Sequence, residues 1–155
     1  YLVAYMIMSA GAFGVVSVVS SSEKEFDDIS YYQGLFWRNP WLALVFTGML
    51  LSLAGIPLTV GFIGKFYLFF AGVEAGLWVL LAVLILGSGV GLYYYLRIVY
   101  CMLLSPEEGK GFESAQSQHM SSHAVLAFLL VLLLVLGVYP TPLVSLIETA
   151  STYIL

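Results

Sequence analysis

Apolar residues form four long blocks along the chain, and polar residues are concentrated in the connections between them. Each block is close to, or longer than, the roughly 20 residues that an α-helix needs to cross about 30 Å of hydrocarbon. The pattern predicts an all-α membrane protein with a single membrane domain over residues 1–155. The four predicted transmembrane helices lie at about residues 2–20, 41–73, 76–104 and 123–148.

The basic residues of the connections indicate an orientation in the membrane. Two long polar loops are predicted, residues 21–40 and 105–122, and they contain Lys24, Arg38 and Lys110. The short turn between the second and third helices contains neither lysine nor arginine. Because cytoplasmic loops carry an excess of these residues, we expect both long loops to be cytoplasmic and the C-terminus to face the outside.

The second block is too long for one continuous helix. Residues 41–73 would form a helix about 50 Å long at 1.5 Å per residue, which exceeds what tilting comfortably accommodates. Proline removes a backbone donor and clashes with the preceding turn, and glycine weakens a helix. We therefore predict a discontinuous helix, unwound near Gly55–Gly64, that faces a bundle interior or a hydrated cavity. The residues predicted to break it are Gly55, Pro57, Gly61 and Gly64.

Lys65 directly follows the predicted break. It lies about 13 Å of helix from Glu74, which we place at the outer edge, so its expected depth is near the midplane of the bilayer. A lysine there costs about 2.5–3.5 kcal/mol, and burial disfavours its charged form. The functional hypothesis is a buried amine that loads and releases a proton. The alternative is an interfacial anchor whose ammonium extends to the membrane surface.

Four further polar residues could line a wet path near Lys65. Each of them is equally able to hydrogen-bond its own helix. Arg97 is interpreted differently, because it lies at the inner end of the third block and suits a membrane anchor. The four candidates for the polar path are Ser52, Thr59, Tyr67 and Ser88.

The third block contains a small-residue motif and an aromatic cluster. Gly87 and Gly91 form one GxxxG motif, which favours close packing of another helix and offers a hinge as the alternative. The three tyrosines Tyr93, Tyr94 and Tyr95 are typical of an interfacial aromatic belt.

Composition supports a membrane location and excludes several other classes. The chain is 61% hydrophobic and 9% charged, whereas soluble domains have about 25% charged residues. It has no basic patch, so nucleic acid is not an expected partner. With one cysteine, Cys101, and no paired histidines at ligand spacing, no metal site is expected. Because the chain begins inside a hydrophobic run without methionine, we expect a piece of a longer polypeptide.

Three segments carry a resemblance to a known family. MLLSLAGIPLTVGFIGKFYLF, GSGVGLYYYLRIVY and LVLGVYPTPLVSLI resemble the antiporter-like membrane subunits of bacterial respiratory NADH–quinone oxidoreductase, complex I. The AGIP and GFIGKF elements are specific to the antiporter-like family as a whole. The YYYLR segment narrows the resemblance to the subunit N branch rather than its two larger relatives. The resemblance covers essentially the whole chain.

The resemblance implies the last four of fourteen transmembrane helices, with a discontinuous helix in the second block. It implies that Lys65 matches the ionisable residue of that helix, in a proton-translocating subunit of the bacterial inner membrane. Expected neighbours are subunits M and K and the lipid bilayer. The resemblance also implies no redox centre and no cofactor in this chain, because NADH, FMN, iron–sulfur clusters and quinone belong to the assembled complex.

Two other functions are compatible with the same residues. The first is a subunit of a multi-subunit cation/proton antiporter or a membrane-bound hydrogenase, because these share the AGIP and lysine motif. The second is a structural spacer in which Lys65 only packs. The charges that would complete a proton pathway are expected outside this chain, because Glu74 and Glu148 are both predicted at the outer surface.

Overall fold

The computed structural model describes residues 1–20, 29–105, 120–142 and Ser145. Within these ranges the chain is helical and contains no strand, which confirms the all-α fold class. A 3₁₀ turn, Ile29–Tyr32, precedes the short helix α2. The six α-helices are α1 (Leu2–Val19), α2 (Leu35–Arg38), α3 (Pro40–Ala54), α4 (Val60–Glu74), α5 (Trp78–Leu103) and α6 (Met120–Val138).

Two of these helices are long and apolar enough, by themselves, to cross a membrane. They are α1 and α5, and they coincide with the first and third predicted helices. The second predicted helix corresponds to α3 and α4 together, and neither half has the length of a complete span. The structure therefore confirms a discontinuous second helix.

The break in this helix is shorter than predicted. The non-helical residues are 55–59, with Gly55 at φ +86° and Pro57 in the middle. Gly61 and Gly64 lie inside α4 and do not unwind it. Gly61 instead allows α4 to pack closely against α3 and α1. A Cβ at this position would collide with the backbone carbonyl of Ser52 and lie 2.8 Å from Sδ of Met8.

The last predicted helix is interrupted after Val138. α6 stops at Val138, whereas the sequence predicted helix to about residue 148. Pro140 explains this end, because proline disfavours the helical conformation of the preceding residue and lacks a backbone donor. Residues 141 and 142 are helical again, and the rest of the predicted span, apart from Ser145, lies outside the described residues.

The apolar core lies where α1, α3 and α6 meet. α3 is the central element and packs against α1, α4, α5 and α6. It begins at Pro40, a favoured residue for the first helical position, with Asn39 as the preceding cap. The largest side chains fully buried in this part of the core are Met8, Leu42, Met49 and Leu133.

The described part of the predicted loop 21–40 is ordered against the end of α5. The indole N–H of Trp37 donates to the carbonyl of Leu103 at 3.2 Å, and the amide of Gln33 donates to the carbonyl of Ser105 at 2.9 Å. The bond from Trp37 satisfies a carbonyl of the last turn of α5, which the helix end leaves without an intrahelical partner. Residues 21–28, and residues 106–119 of the other predicted loop, lie outside the described residues.

The GxxxG motif of α5 does not pack against a helix of the described chain. A Cβ added at Gly87 would meet no atom within 4 Å, and one at Gly91 would meet only the ring of Tyr95, at 3.4 Å. Tyr95 itself differs from the predicted belt. Tyr93 and Tyr94 are exposed, but Tyr95 is half-buried and turned inward. Successive residues of a helix point in different directions, so three adjacent tyrosines cannot share one environment.

Gly61→Ala is expected to destabilise the protein. The new methyl group would collide with the Ser52 backbone, which cannot rotate away as a side chain can. Overpacking of this kind costs about 1–3 kcal/mol, which exceeds the gain of up to about 1 kcal/mol from replacing glycine in a helix. The thermal unfolding midpoint of the detergent-solubilised assembly measures the effect.

The matched control is Gly89→Ala in α5, where an added Cβ meets nothing within 4 Å. That variant is expected to be unchanged or slightly more stable. Equal unfolding midpoints for the two alanine variants would contradict the close contact between α3 and α4.

Candidate functional site

The C-terminal end of α3 is closed by a glycine in the left-handed conformation. The N–H of Gly55 donates to the carbonyl of Ser52 at 3.0 Å, and the N–H of Ile56 donates to the carbonyl of Leu51 at 3.1 Å. This is the Schellman arrangement, which satisfies carbonyls of the penultimate turn. The carbonyls of the last two residues of the helix therefore need a different donor.

Lys65 supplies that donor from the other half of the broken helix. Its Nζ donates to the carbonyl of Leu53 at 3.0 Å and to that of Ala54 at 3.1 Å. A cation at a helix C-terminus is also favoured by the helix dipole. The lysine stem passes over Gly55, where a Cβ would lie 3.1 Å from Cδ of Lys65. Gly55 is thus required both by its φ angle and by the space that the lysine occupies.

The N-terminal end of α4 is satisfied in return by α3. The hydroxyl of Ser52 accepts a hydrogen bond from the N–H of Gly61 at 3.2 Å and donates to Sδ of Met8 at 2.9 Å. Ser52 is completely buried. Each half-helix therefore provides a polar partner for the other half, which removes much of the cost of unwound backbone in an apolar environment.

The connecting segment is held between its own bonds and α6. The hydroxyl of Thr59 donates to the carbonyl of Ile56 at 2.7 Å. Leu58 has φ +76°, a conformation that non-glycine residues rarely adopt. Gly137 of α6 lies directly against this segment, because a Cβ there would be 2.5 Å from the carbonyl oxygen of Leu58.

A cavity of about 290 Å³ lies beside Lys65, between α1, α3, α4 and α5. Polar and apolar groups both line it. Three residue types provide its polar surface: the lysine, one serine and three tyrosines. Those residues are Lys65, Ser88, Tyr1, Tyr5 and Tyr95.

The structure brings together some of the predicted polar residues. Ser88 lines the same cavity as Lys65. Ser52 is one step removed, because it caps α4 and does not line the cavity. Thr59 bonds within the break. Their participation in a proton path stays a prediction.

Tyr67 and Arg97 lie away from this cluster. Tyr67 is 56% exposed and lines a separate groove, of about 540 Å³, with Glu74 and Pro140. Arg97 is exposed on α5, six residues before Leu103, the last residue of this helix. Exposure there is compatible with the predicted membrane anchor, which stays a prediction.

Sequence analysis missed several participants in the site. Tyr5 and Tyr95 were not assigned to it, although Tyr95 lies seven residues after Ser88 and therefore on the same face of α5. The carbonyls of Leu53 and Ala54 belong to the backbone, so the identity of these residues does not reveal that they bond Lys65. Only the neighbouring glycine and proline indicate that a helix ends there. Met8 resembles any other core residue in the sequence.

The arrangement provides one titratable amine at a helix break. A protonated lysine has three donors, and two of them are used on backbone carbonyls. The ammonium therefore points back toward the break and not toward the far end of α4. This geometry differs from the extended anchor that the sequence left open. In the part of the chain that the structure describes, no group of three or more metal-ligating side chains is found.

Comparison with known proteins places the chain in a family. The model of a transmembrane family described as NADH:quinone oxidoreductase/Mrp antiporter matches residues 1–91. NADH-quinone oxidoreductase subunit N of Methylococcus capsulatus is 48% identical over 145 residues, which cover 94% of this chain and 29% of that protein.

A solved structure gives the same result. One chain of respiratory complex I from Thermus thermophilus, determined with bound aureothin, superposes with a TM-score of 0.76 at 32% identity. The match covers 91% of this chain and 31% of that one, so the chain spans less than a third of the length of either relative. The chain therefore belongs to the transmembrane family of NADH:quinone oxidoreductase and Mrp antiporter subunits.

Proposed function

We propose that this chain forms part of a proton-translocating membrane-arm subunit of a bacterial NADH–quinone oxidoreductase, with Lys65 as a proton carrier. The similarity to subunit N supports the type of complex. The observation that carries the role of Lys65 is its pair of hydrogen bonds to the last carbonyls of α3. An amine in this position is bonded most strongly when it is protonated.

Protonation of Lys65 couples to the geometry of the broken helix. As an ammonium, Lys65 donates to Leu53 and Ala54 and is attracted by the negative end of the α3 dipole. As a neutral amine it loses this attraction and one donor. Release of the proton therefore weakens the contact between α4 and the end of α3, and a change in that contact alters the affinity of Lys65 for its proton.

The energy for this cycle comes from outside the chain. Moving one charge against 100 mV requires about 2.3 kcal/mol, and a single amine that gains and loses a proton supplies no net work over a cycle. In the proposed complex, quinone reduction elsewhere provides the energy. NADH, FMN, iron–sulfur clusters and quinone bind to other parts of the assembly, and this chain contributes protonatable groups only.

The proposed surroundings follow from the same relationship. The subunit lies in the bacterial inner membrane, in contact with lipid and with the neighbouring antiporter-like subunit M and small subunit K. A charged residue from the remainder of its own subunit, or from a neighbour, approaches Lys65 and holds or expels its proton. Nothing in this scheme requires a metal ion or nucleic acid.

A cation/proton antiporter is the second candidate function. The description of the matching family includes Mrp antiporters. The 48% identity to subunit N is the observation that favours the oxidoreductase.

Lys65→Arg in the assembled complex is expected to block proton transfer while preserving the fold. A guanidinium keeps the positive charge and the donors for the two carbonyls, but it does not release its proton under physiological conditions. Positioned proton transfer typically contributes about 10²–10⁴-fold to rate. We therefore expect NADH-driven proton uptake into membrane vesicles to fall about tenfold or more, with assembly retained on native gels.

Tyr67→Phe is the matched control, because Tyr67 is two residues from Lys65 but lines a different groove. Its proton uptake should equal that of the unmodified complex. If Lys65→Arg assembles and pumps normally, Lys65 is not a proton carrier and the spacer hypothesis gains support.

The oxidoreductase and the antiporter differ in their dependence on sodium. We expect NADH oxidation to drive proton uptake in vesicles equally well in sodium and in choline buffers. The measurement is the quenching of a pH-sensitive dye in the two buffers. Proton movement that requires a sodium gradient and does not depend on NADH would identify the antiporter instead.

A further inference from the structure

The first helix packs against both halves of the broken helix. Gly61 and Gly64 leave room for α1 beside α4. A Cβ at Gly61 would lie 2.8 Å from Sδ of Met8, and one at Gly64 would lie 3.3 Å from Cα of Tyr1. These two contacts are about one helical turn apart, so α1 runs closely over the start of α4, in the turn that leads to Lys65.

The register of α1 on α3 is fixed at the same level. A Cβ at Gly11 would lie 2.5 Å from Cε of Met49, so the two helices approach closely there. Met8 lies three residues before Gly11, and Ser52 lies three residues after Met49. The contact between Met8 and Ser52 therefore falls one turn further along each helix. Both residues are buried within the described chain, and α1 cannot slide along α3 without separating them.

The hydroxyl of Ser52 is held in one orientation. A backbone N–H can only donate, so the hydroxyl oxygen accepts from Gly61 at 3.2 Å. A thioether sulfur can only accept, so the hydroxyl proton is directed to Sδ of Met8 at 2.9 Å. A serine within a helix has an alternative, which is to donate to the carbonyl of its own preceding turn. Met8 therefore selects the orientation in which Ser52 accepts from α4.

Ser52 replaces a cap that α4 lacks in its own sequence. Thr59 occupies the N-cap position, but its side chain makes no capping bond, because its hydroxyl donates to the carbonyl of Ile56. The first N–H groups of a helix have no intrahelical acceptor. One of them, that of Gly61, is satisfied by Ser52 from the other half of the broken helix.

The same hydroxyl links Lys65 to its acceptors. Lys65 lies four residues after Gly61, which is about one turn into α4. The carbonyls that accept from its Nζ belong to the two residues directly after Ser52. The hydrogen bond between Ser52 and Gly61 therefore fixes both the start of the lysine side chain and the carbonyls that it must reach.

We infer that Met8 of α1 is a positioning residue for Lys65 and acts through Ser52. Its thioether orients the hydroxyl, the hydroxyl holds the first turn of α4, and that turn places the lysine nitrogen on the α3 carbonyls. The inference rests on the proposed function, and it adds α1 as a third helix that controls the site. A displacement of α1 relative to the break changes the bonds that hold the proton on Lys65.

Two substitutions of Met8 separate positioning from packing. Leucine keeps the apolar volume but provides no acceptor, whereas glutamine has a similar length and provides an amide oxygen for the Ser52 hydroxyl. A packing role favours leucine, because a buried amide with unpaired N–H groups is costly. A positioning role favours glutamine, so the two roles predict opposite orders of activity.

NADH-driven proton uptake by membrane vesicles that contain the assembled complex measures this order. Small misplacements of reacting groups can cost about 100-fold in rate, and the loss of one weak bond to sulfur is expected to cost less, about tenfold in Met8→Leu. Met8→Gln is expected to stay within about twofold of the unmodified complex, because the acceptor is retained. Both variants should assemble, as judged on native gels.

Met49→Leu is the matched control. Met49 is also buried between α1 and α3, but no hydrogen bond to its sulfur is found among the described residues. Its proton uptake should equal that of the unmodified complex. Ser52→Ala should lower uptake at least as much as Met8→Leu does. Adding Met8→Leu to Ser52→Ala should cause no further loss, because the hydroxyl through which Met8 acts is already absent.

Four results would overturn the inference. Higher uptake with Met8→Leu than with Met8→Gln means that Met8 only packs. Losses that multiply in the double variant mean that Met8 does not act through Ser52. Failure of Met8→Leu to assemble, when Met49→Leu assembles, means that the contact serves folding. Normal uptake in Met8→Leu, with uptake blocked in Lys65→Arg, removes the positioning role and leaves the proposed function intact. Normal uptake in Lys65→Arg would instead overturn the proposed function, and this inference with it.

Discussion

The structure depends on the hydrogen bonds between the Lys65 ammonium and the two terminal carbonyls of α3. A break within an apolar bundle leaves backbone groups that water would otherwise satisfy, and each unsatisfied group is costly. The Schellman turn at Gly55 satisfies the carbonyls of Leu51 and Ser52. Lys65 satisfies the carbonyls of the two residues that follow, which are the last two of α3. Ser52 of α3 in turn accepts a hydrogen bond from the first turn of α4. A few residues therefore fix the position of the two half-helices relative to each other.

Under the proposed function, the same nitrogen atom of Lys65 both caps α3 and carries the proton. A neutral polar cap would stabilise the end of α3 equally at every stage of a reaction cycle. An ammonium does so only while it holds its proton, and its bonds to carbonyls are stronger than those of a neutral donor. The break is therefore the element of this fold whose stability depends on protonation. The rest of α3 is fixed by apolar contacts with α1 and α6, which do not titrate.

The sequence was sufficient for the parts of this site that depend on length and on helix breakers. The excess length of residues 41–73, with Pro57 and Gly55, predicted the break. Lys65 follows this break and lies partly buried against the end of α3, while its role as a buried, titratable amine stays a prediction. The direction in which side chains point was not predictable. These helices are apolar on all sides, so no polar face indicates their rotation. Tyr95 was consequently predicted in the interfacial belt although it is half-buried, and Gly61 was interpreted as a breaker rather than as a close contact. Tyr67 lines a groove separate from the Lys65 cavity, and its place in a polar path stays a prediction.

Under the proposed function, a further constraint concerns how Lys65 takes part in directional proton transport. Lys65 has fixed partners on one side, the α3 carbonyls, and an open cavity on the other. Exchange by any single route would return each proton to its origin, because such exchange is reversible. Net movement therefore requires that a second charge alternately approach and leave the amine, so that loading and release occur toward different compartments. That charge must come from beyond the described residues, since the acceptors that Lys65 uses here are backbone carbonyls, whose charge does not change.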